Sequence, residues 1–308
     1  MTTSVIVPVT ITDAMLYSTT VPETDNAAWA AATSYTVGQK VTRAVSGVHK
    51  NFQNIIAGVD ATLPEVAALQ TTPRWLDIGA TNAWAMFDQK VGTVTTVASP
   101  LTVVLKPNTG LSAVSLLELT GKTASITLKT ATGGTTVYSA SISLDGTIIT
   151  SFFDWFYADY VQKTDLALTD LPAQYTTPEI TVQVTSGAGN VGIGVCAVGK
   201  VVKLGNAQYG ATLGILDYSR KDVDAFGNYV LTKRAYSKRM TLSLLTDKFD
   251  FSRIYRAMAG IRATPAVFIA TEKSGYEPMI VYGFYKDFNI EVSYPQHHMC
   301  SLEIEGLI

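Results

Sequence analysis

Three histidines, two cysteines and a few aspartates among aromatic rings are the residues with which this chain could do chemistry. His297, His298 and Cys300 resemble a fragment of a metal site, but no further ligands stand at a spacing that would complete a coordination shell. These histidines and His49 are therefore expected at the surface or at interfaces. Cys196 and Cys300 lie far apart, each among apolar strand residues, which is the setting of free buried thiols in a protein folded in a reducing cytosol. Asp154 and Asp159 fall inside the aromatic run Phe152-Phe153-Asp154-Trp155-Phe156-Tyr157-Ala158-Asp159-Tyr160. Carboxylates among aromatics suit sugar hydrolysis when a pair stands roughly 5–9 Å apart, and Asp77 with Asp88 raises the same question. The favoured reading is that Phe152, Phe153, Trp155, Phe156 and Tyr157 fill a core or an intersubunit contact. Gly121-Lys122-Thr123 ends like a phosphate-binding loop, yet Leu116 occupies the place of its first glycine. Gly187-Ala188-Gly189-Asn190-Val191-Gly192 fits Gly-x-Gly-x-x-Gly but leads into a strand pattern rather than a helix. Both read as turns. The chain has no His-Glu-x-x-His, Gly-x-Ser-x-Gly or Cys-x-x-Cys motif. No catalytic residue, metal ligand or cofactor is expected.

The stretch from Trp29 to Asp88 is spaced like a small sugar-binding module. Trp29, Tyr35 and Trp75 are its candidate carbohydrate-binding rings, because the apolar face of a pyranose stacks on a flat aromatic. In so small a unit, one or two of the three must supply the core instead.

The elements that would position these residues are mostly strands. Residues 1–25 read as an extended, Thr-rich N-terminal arm, with one helical turn at 11–16 capped by Thr12 or Asp13. Residues 26–90 form the small β domain: a helical stretch at 27–32, a turn at Tyr35-Thr36-Val37-Gly38, and a hairpin tip at Val45-Ser46-Gly47-Val48. Residues 91–205 alternate with period two, broken by turns at Lys106–Gly110, Thr132–Thr135 and Asp145-Gly146. They suggest a central antiparallel β-sandwich, jelly-roll-like. Residues 206–308 read as an α+β domain with one main helix over 250–262, where Phe251, Ile254, Tyr255, Met258 and Ile261 share a stripe and Asp250 is the N-cap. Strands follow at 266–270, 279–284 and 288–293, and a last one over 300–308. The fold class is mainly β.

Composition narrows the function classes. The net charge is −2 and charged residues are only 16% of the chain, so no long-range field draws it onto nucleic acid or an acidic membrane. The cluster Arg220, Lys221, Lys233, Arg234, Lys238 and Arg239 is interleaved with aspartates and reads as a salt-bridged strand pair or a polar subunit interface. Low charge with many Thr, Ser, Ala and Val fits either a surface covered by neighbouring subunits or a hydroxyl-coated β protein. The start of the chain does not resemble a signal peptide, and no apolar run reaches the roughly 18 residues of a membrane span.

The pattern Trp29, Tyr35-Thr-Val-Gly38, Val41, Phe52, Pro64 and Trp75 resembles the chitin-type carbohydrate-binding modules common in chitinases and bacteriophage tail proteins. A longer set is similar to a family of tailed-phage virion structural proteins. It comprises Trp75-Leu-Asp-Ile-Gly79, Thr81-Asn82, Trp84-Ala-Met-Phe-Asp88, Tyr209-Gly210, Asp217-Tyr218-Ser219-Arg220-Lys221, Arg234-Ala235-Tyr236-Ser237-Lys238-Arg239-Met240, Tyr282-Gly283-Phe284 and Cys300-Ser-Leu-Glu-Ile-Glu-Gly306-Leu307. The resemblance covers nearly the whole chain. It implies a non-enzymatic component of a tail tip, baseplate or fibre-attachment region, made in the host bacterial cytoplasm and carried in the virion. The implied partners are other tail or baseplate proteins and further copies of the chain, with no nucleic acid and no membrane insertion. The alternatives are a tail protein that binds a host-surface glycan and, behind it, a tail-associated glycan hydrolase.

Overall fold

The computed structural model describes residues 2–224, 226–273 and 275–307. Met1 of the expected arm and Ile308 of the expected last strand lie outside the described residues. Strands hold 48% of the chain and helices 10%, so the fold is mainly β, with a large sheet and a single main helix near the C-terminus.

The arm is extended, as its composition predicts, but it is built into the interior. Strand Thr2–Pro8 lies between Val195–Ala207 and Ala266–Ile269, antiparallel to both. Its Thr3, Ser4, Val5 and Ile6 are all buried. A strand covered on both faces needs small or apolar residues throughout, and this one has them. It joins a nine-stranded sheet that continues through Ile280–Glu291, His297–Gly306, Tyr236–Asp247 and Thr212–Asp217. The far end of Val195–Ala207 also pairs with Tyr236–Asp247, through Asn206 with Leu245 and Ala207 with Leu244. Six of the nine strands thereby close into a ring, and helix Phe251–Gly260 packs its Ile254 and Met258 into the core beside Val5, Leu242 and Phe268. Closure covers the otherwise open edges where Val195–Ala207 and Tyr236–Asp247 meet, and Leu166–Leu168 and Thr212–Asp217 remain the edges of the sheet. The sheet runs unbroken across the 205/206 boundary expected from composition.

The other end of the same sheet forms half of the sandwich. Strands Ala113–Leu117 and Val195–Ala207 face a five-stranded antiparallel sheet that includes Leu101–Leu105, Thr123–Lys129 and Glu179–Thr185. The alternation legible in sequence points Ala124, Ile126 and Leu128 inward, opposite Ile180, Val182 and Val184.

The small module has a three-stranded sheet, Lys40–Val45, Val48–Asn54 and Trp75–Ala80, and a separate two-stranded pair, Ser34–Tyr35 with Gly58–Val59. Its hairpin tip is as expected: Ser46 and Gly47 both have positive φ, 52° and 77°, the combination a two-residue turn between twisted strands requires. Residues 27–32 are not helical. Trp29 N–H donates to the Thr42 carbonyl and Thr42 N–H to Ala27, so the backbone is bonded across to a strand. Residues 12–16 form a turn closed by Met15 and Leu16 N–H on the Thr12 carbonyl. The C-terminal helix keeps its place, but Asp250 does not cap it. Its carboxylate bonds Arg253, and Asp247 caps the preceding turn through Phe249 N–H. The strands expected at 279–284 and 288–293 are one, Ile280–Glu291, which bends at an irregularity between Tyr285 and Asp287.

Candidate interaction surface

The residues with chemical potential are taken up by structure. Asp154 accepts from Thr150 N–H and Oγ1 and from Ser151 N–H. These bonds, the one from Thr150 first, hold its carboxyl below the usual range. It is the far half of a capping box. Asp77 is bonded to Lys50 at 2.8 Å and to Gly79 N–H. Asp88 accepts from Thr93 and Lys90 N–H, and burial pushes its carboxyl up. His298 and Cys300 point to the buried side of their strand and His297 to the exposed side, so period-two geometry splits the apparent metal fragment. Among the described residues no group of three metal-ligating side chains comes together. Burial pushes the Cys196 thiol up to about 12, and burial also raises Cys300, so both stay protonated. A cleft of about 320 Å³ opens between sandwich and ring, lined in part by Asp165, Lys238 and Tyr282. Its charged side chains are committed, with Lys238 Nζ on Asp165 at 2.5 Å and Glu118 accepting from Gly92 N–H.

Two of the three candidate sugar-stacking rings are core. Trp75 is 0% and Tyr35 4% exposed. Their rings meet edge to face at 5.0 Å, packed with Val41, Phe52 and Ala67. The Tyr35 hydroxyl accepts from Ala30 N–H at 2.7 Å, which fixes the loop that carries Trp29. Trp29 is half-buried, with the Arg43 guanidinium 5.2 Å above its ring. In so small a module the large rings are needed for the core.

His49 clamps the module to the rest of the chain. Its Nε2 lies 2.9 Å from Asp13 and its Nδ1 2.6 Å from Glu23, and the ring leans on Trp84 at 5.2 Å. Trp84 itself belongs to the sandwich core. Burial alone would lower the imidazole pKa, but hydrogen bonds to Asp13 and Glu23, reinforced by their charges, raise it above 6.5. A folded-state pKa raised this way gives stability that is complete below the unfolded value and lost as pH rises through the folded one. The thermal midpoint should therefore fall as pH rises from below 6.5 through the raised folded-state value, and His49→Gln should flatten that fall. Equal pH profiles for the two proteins would show that the clamp contributes nothing.

What the fold leaves uncovered is apolar. Between Leu144 and Lys163 the chain leaves the sandwich, its base pinned by Gly146 N–H on Val161 O and Lys163 N–H on Leu144 O. At its tip is the short helix Phe152–Tyr157. Ser151 Oγ accepts from Asp154 N–H while Asp154 accepts from Ser151 N–H, so the helix is fixed by its own cap without help from a core. Phe152 stacks on Phe156 at 5.2 Å and Phe153 on Tyr157 at 4.7 Å, the i to i+4 pairing of a helix. With Trp155, these five rings are 63–82% exposed. The aromatic content of this segment is plain in the sequence, and its place outside the core is not. The Ser151-x-x-Asp154 cap was the signal available.

A second uncovered element is the hairpin Arg220–Val223 with Tyr229–Thr232, whose eight residues are all exposed. Among the described residues its strands pair only with each other, an arrangement that is marginal in water on its own. Sequence reading found its cations and missed its apolar content. Arg220 pairs with Asp222 and Lys221 sits 4.9 Å over Tyr229, while Arg239 bonds Glu303 and Lys238 bonds Asp165 on the neighbouring strand.

No protein-family model, curated protein or solved structure matches the chain.

Proposed function

We propose that the chain is a structural component of a bacteriophage tail, at the tail tip, baseplate or fibre-attachment region, made in the host cytoplasm and acting through protein–protein contacts. The motif resemblance supports the phage setting. The observation that carries the assembly reading is the capped helix Phe152–Tyr157, whose rings are exposed although nothing in the chain's own packing requires aromatics there. Five such rings amount to apolar surface on the order of 700 Å². That approaches the roughly 800 Å² that each partner contributes to a standard interface, and exposed apolar surface of this size marks interaction sites.

The test is to replace Trp155 and Phe156 together by serine. The melting curve should stay unchanged, because neither ring touches a core. Incorporation into phage tails, read by antibody labelling of purified particles, should fall at least about 30-fold, as for loss of a hot-spot residue. Full incorporation of the variant would remove the helix from the interface. Absence of the wild-type chain from purified particles would remove the phage reading.

A further inference from the structure

We infer that the occupant of the aromatic helix is a second copy of this chain, and that the part of the copy seated on it is the exposed hairpin Arg220–Val223 with Tyr229–Thr232 and its described flanks. The inference rests on the assembly reading above and names its partner.

Two features left unfinished by the fold complement each other. The helix and its flanks, residues 147–162, carry Asp154 and Asp159 and no Lys or Arg. The hairpin and its flanks carry Arg220, Lys221, Lys233 and Arg234 against Asp222 and Asp224. Arg220 is used by Asp222, and Asp224 by Asn228 and nearby backbone N–H groups. Lys233 and Arg234 make no ion pair among the described residues. One patch is thus aromatic with net charge −2 and the other aliphatic and aromatic with net charge +2. On the hairpin, Phe226 is 91% exposed, and Val223, Tyr229 and Leu231 stand out from one face of the strand pair. Each patch would be an aggregation liability alone, and each lacks the surface and charge that the other offers.

The geometry also favours this pair over two helices meeting each other. A helix ringed by aromatics must be covered from more than one side, and two copies of the acidic segment would bring Asp159 against like charge. A two-stranded hairpin gains the third layer it needs by lying on the helix. Because the surfaces joined are different, the contact is head to tail. Copies then close into a ring or continue as a filament, according to the rotation between neighbours.

The experiment is complementation in sedimentation velocity. The wild-type chain should self-associate, less so as salt rises. A helix variant, Trp155→Ser with Phe156→Ser, should be monomeric alone. So should a hairpin variant, Phe226→Ser with Leu231→Ser. Mixed, they should form a one-to-one dimer and stop, because only one intact helix and one intact hairpin remain to meet. A charge pair guards against a misfolded hairpin. Lys233→Glu with Arg234→Glu should weaken association about tenfold, and Asp159→Lys in the other copy should restore it. A mixture that stays monomeric while the wild type associates would overturn the inference, and a hairpin variant that still self-associates alone would overturn it in favour of a helix-on-helix contact. A wild type that is monomeric at every concentration would also overturn it. If the helix variant is then still lost from tails, the assembly reading stands with a different partner. Sedimentation of the wild type with phosphatidylcholine vesicles, abolished in the helix variant, would assign the helix to a lipid surface and overturn the inference as well.

Discussion

Trp75→Ala will cost the small module about 3–5 kcal/mol, the usual range for emptying a buried aromatic site, and should unfold it while the sandwich and ring persist. The core around Trp75 consists of Tyr35, Val41, Phe52 and Ala67, with Trp29 and Val45 packed against it. Removing the largest member leaves Tyr35 without its edge-to-face partner and Phe52 facing a void. So small a core has little stability in reserve. Hydrogen exchange read by strand is the suitable measurement. Amides of Lys40–Val45 and Val48–Asn54 should lose protection, and those of Thr123–Lys129 and Glu179–Thr185 should keep it. Unchanged protection in the module would mean that Trp75 is not core. If a glycan interaction vanished at the same time, the ring would be a stacking platform after all.

Gly199→Ala will be nearly as damaging, for a backbone reason. A Cβ at this position would lie 2.0 Å from the Val7 carbonyl oxygen and 3.0 Å from the Pro8 Cα. Gly199 sits where Val195–Ala207 pairs with Thr2–Pro8 on one side and with Ala113–Leu117 on the other, and backbone atoms held in two ladders have no room to retreat. Overpacking of this kind costs about 1–3 kcal/mol, and the upper end applies because strand must separate from strand. The loss should show as a lower midpoint in urea, together with faster exchange at Ser4–Val7. A midpoint equal to wild type would mean that the N-terminal strand is not seated as described.

These two predictions mark what sequence could and could not convey. Local patterns were legible. Alternation placed Ala124, Ile126 and Leu128 on one face, the tip at Ser46-Gly47 announced its turn, and the stripe Ile254, Met258 and Ile261 announced the helix. Each depends on a few neighbouring residues and on a fixed period. Long-range pairing was not legible. Nothing within Thr2–Pro8 says that it will lie between residues 195–207 and 266–269, or that Asn206 will meet Leu245 and close the ring. Nor does the chain state which aromatics are inside. Trp75 has Leu76 beside it and Trp155 lies in a run of aromatics, yet it is Trp75 that is buried and Trp155 that stands on a helix only its cap supports. The His49 clamp escaped for the same reason, since Asp13 and Glu23 reach it from 36 and 26 residues away.

The same contrast supplies the decisive probe. Of the four tryptophans, Trp75 and Trp84 are buried, Trp29 is half-buried and Trp155 is 69% exposed. Collisional quenching of fluorescence by acrylamide therefore reads chiefly the aromatic helix, with Trp155→Phe as the control. The account predicts strong quenching in the dilute protein. That quenching should disappear, with a blue shift in emission, as the protein enters its assembled state. Trp155 fluorescence that stays equally quenchable in the assembled state would contradict it.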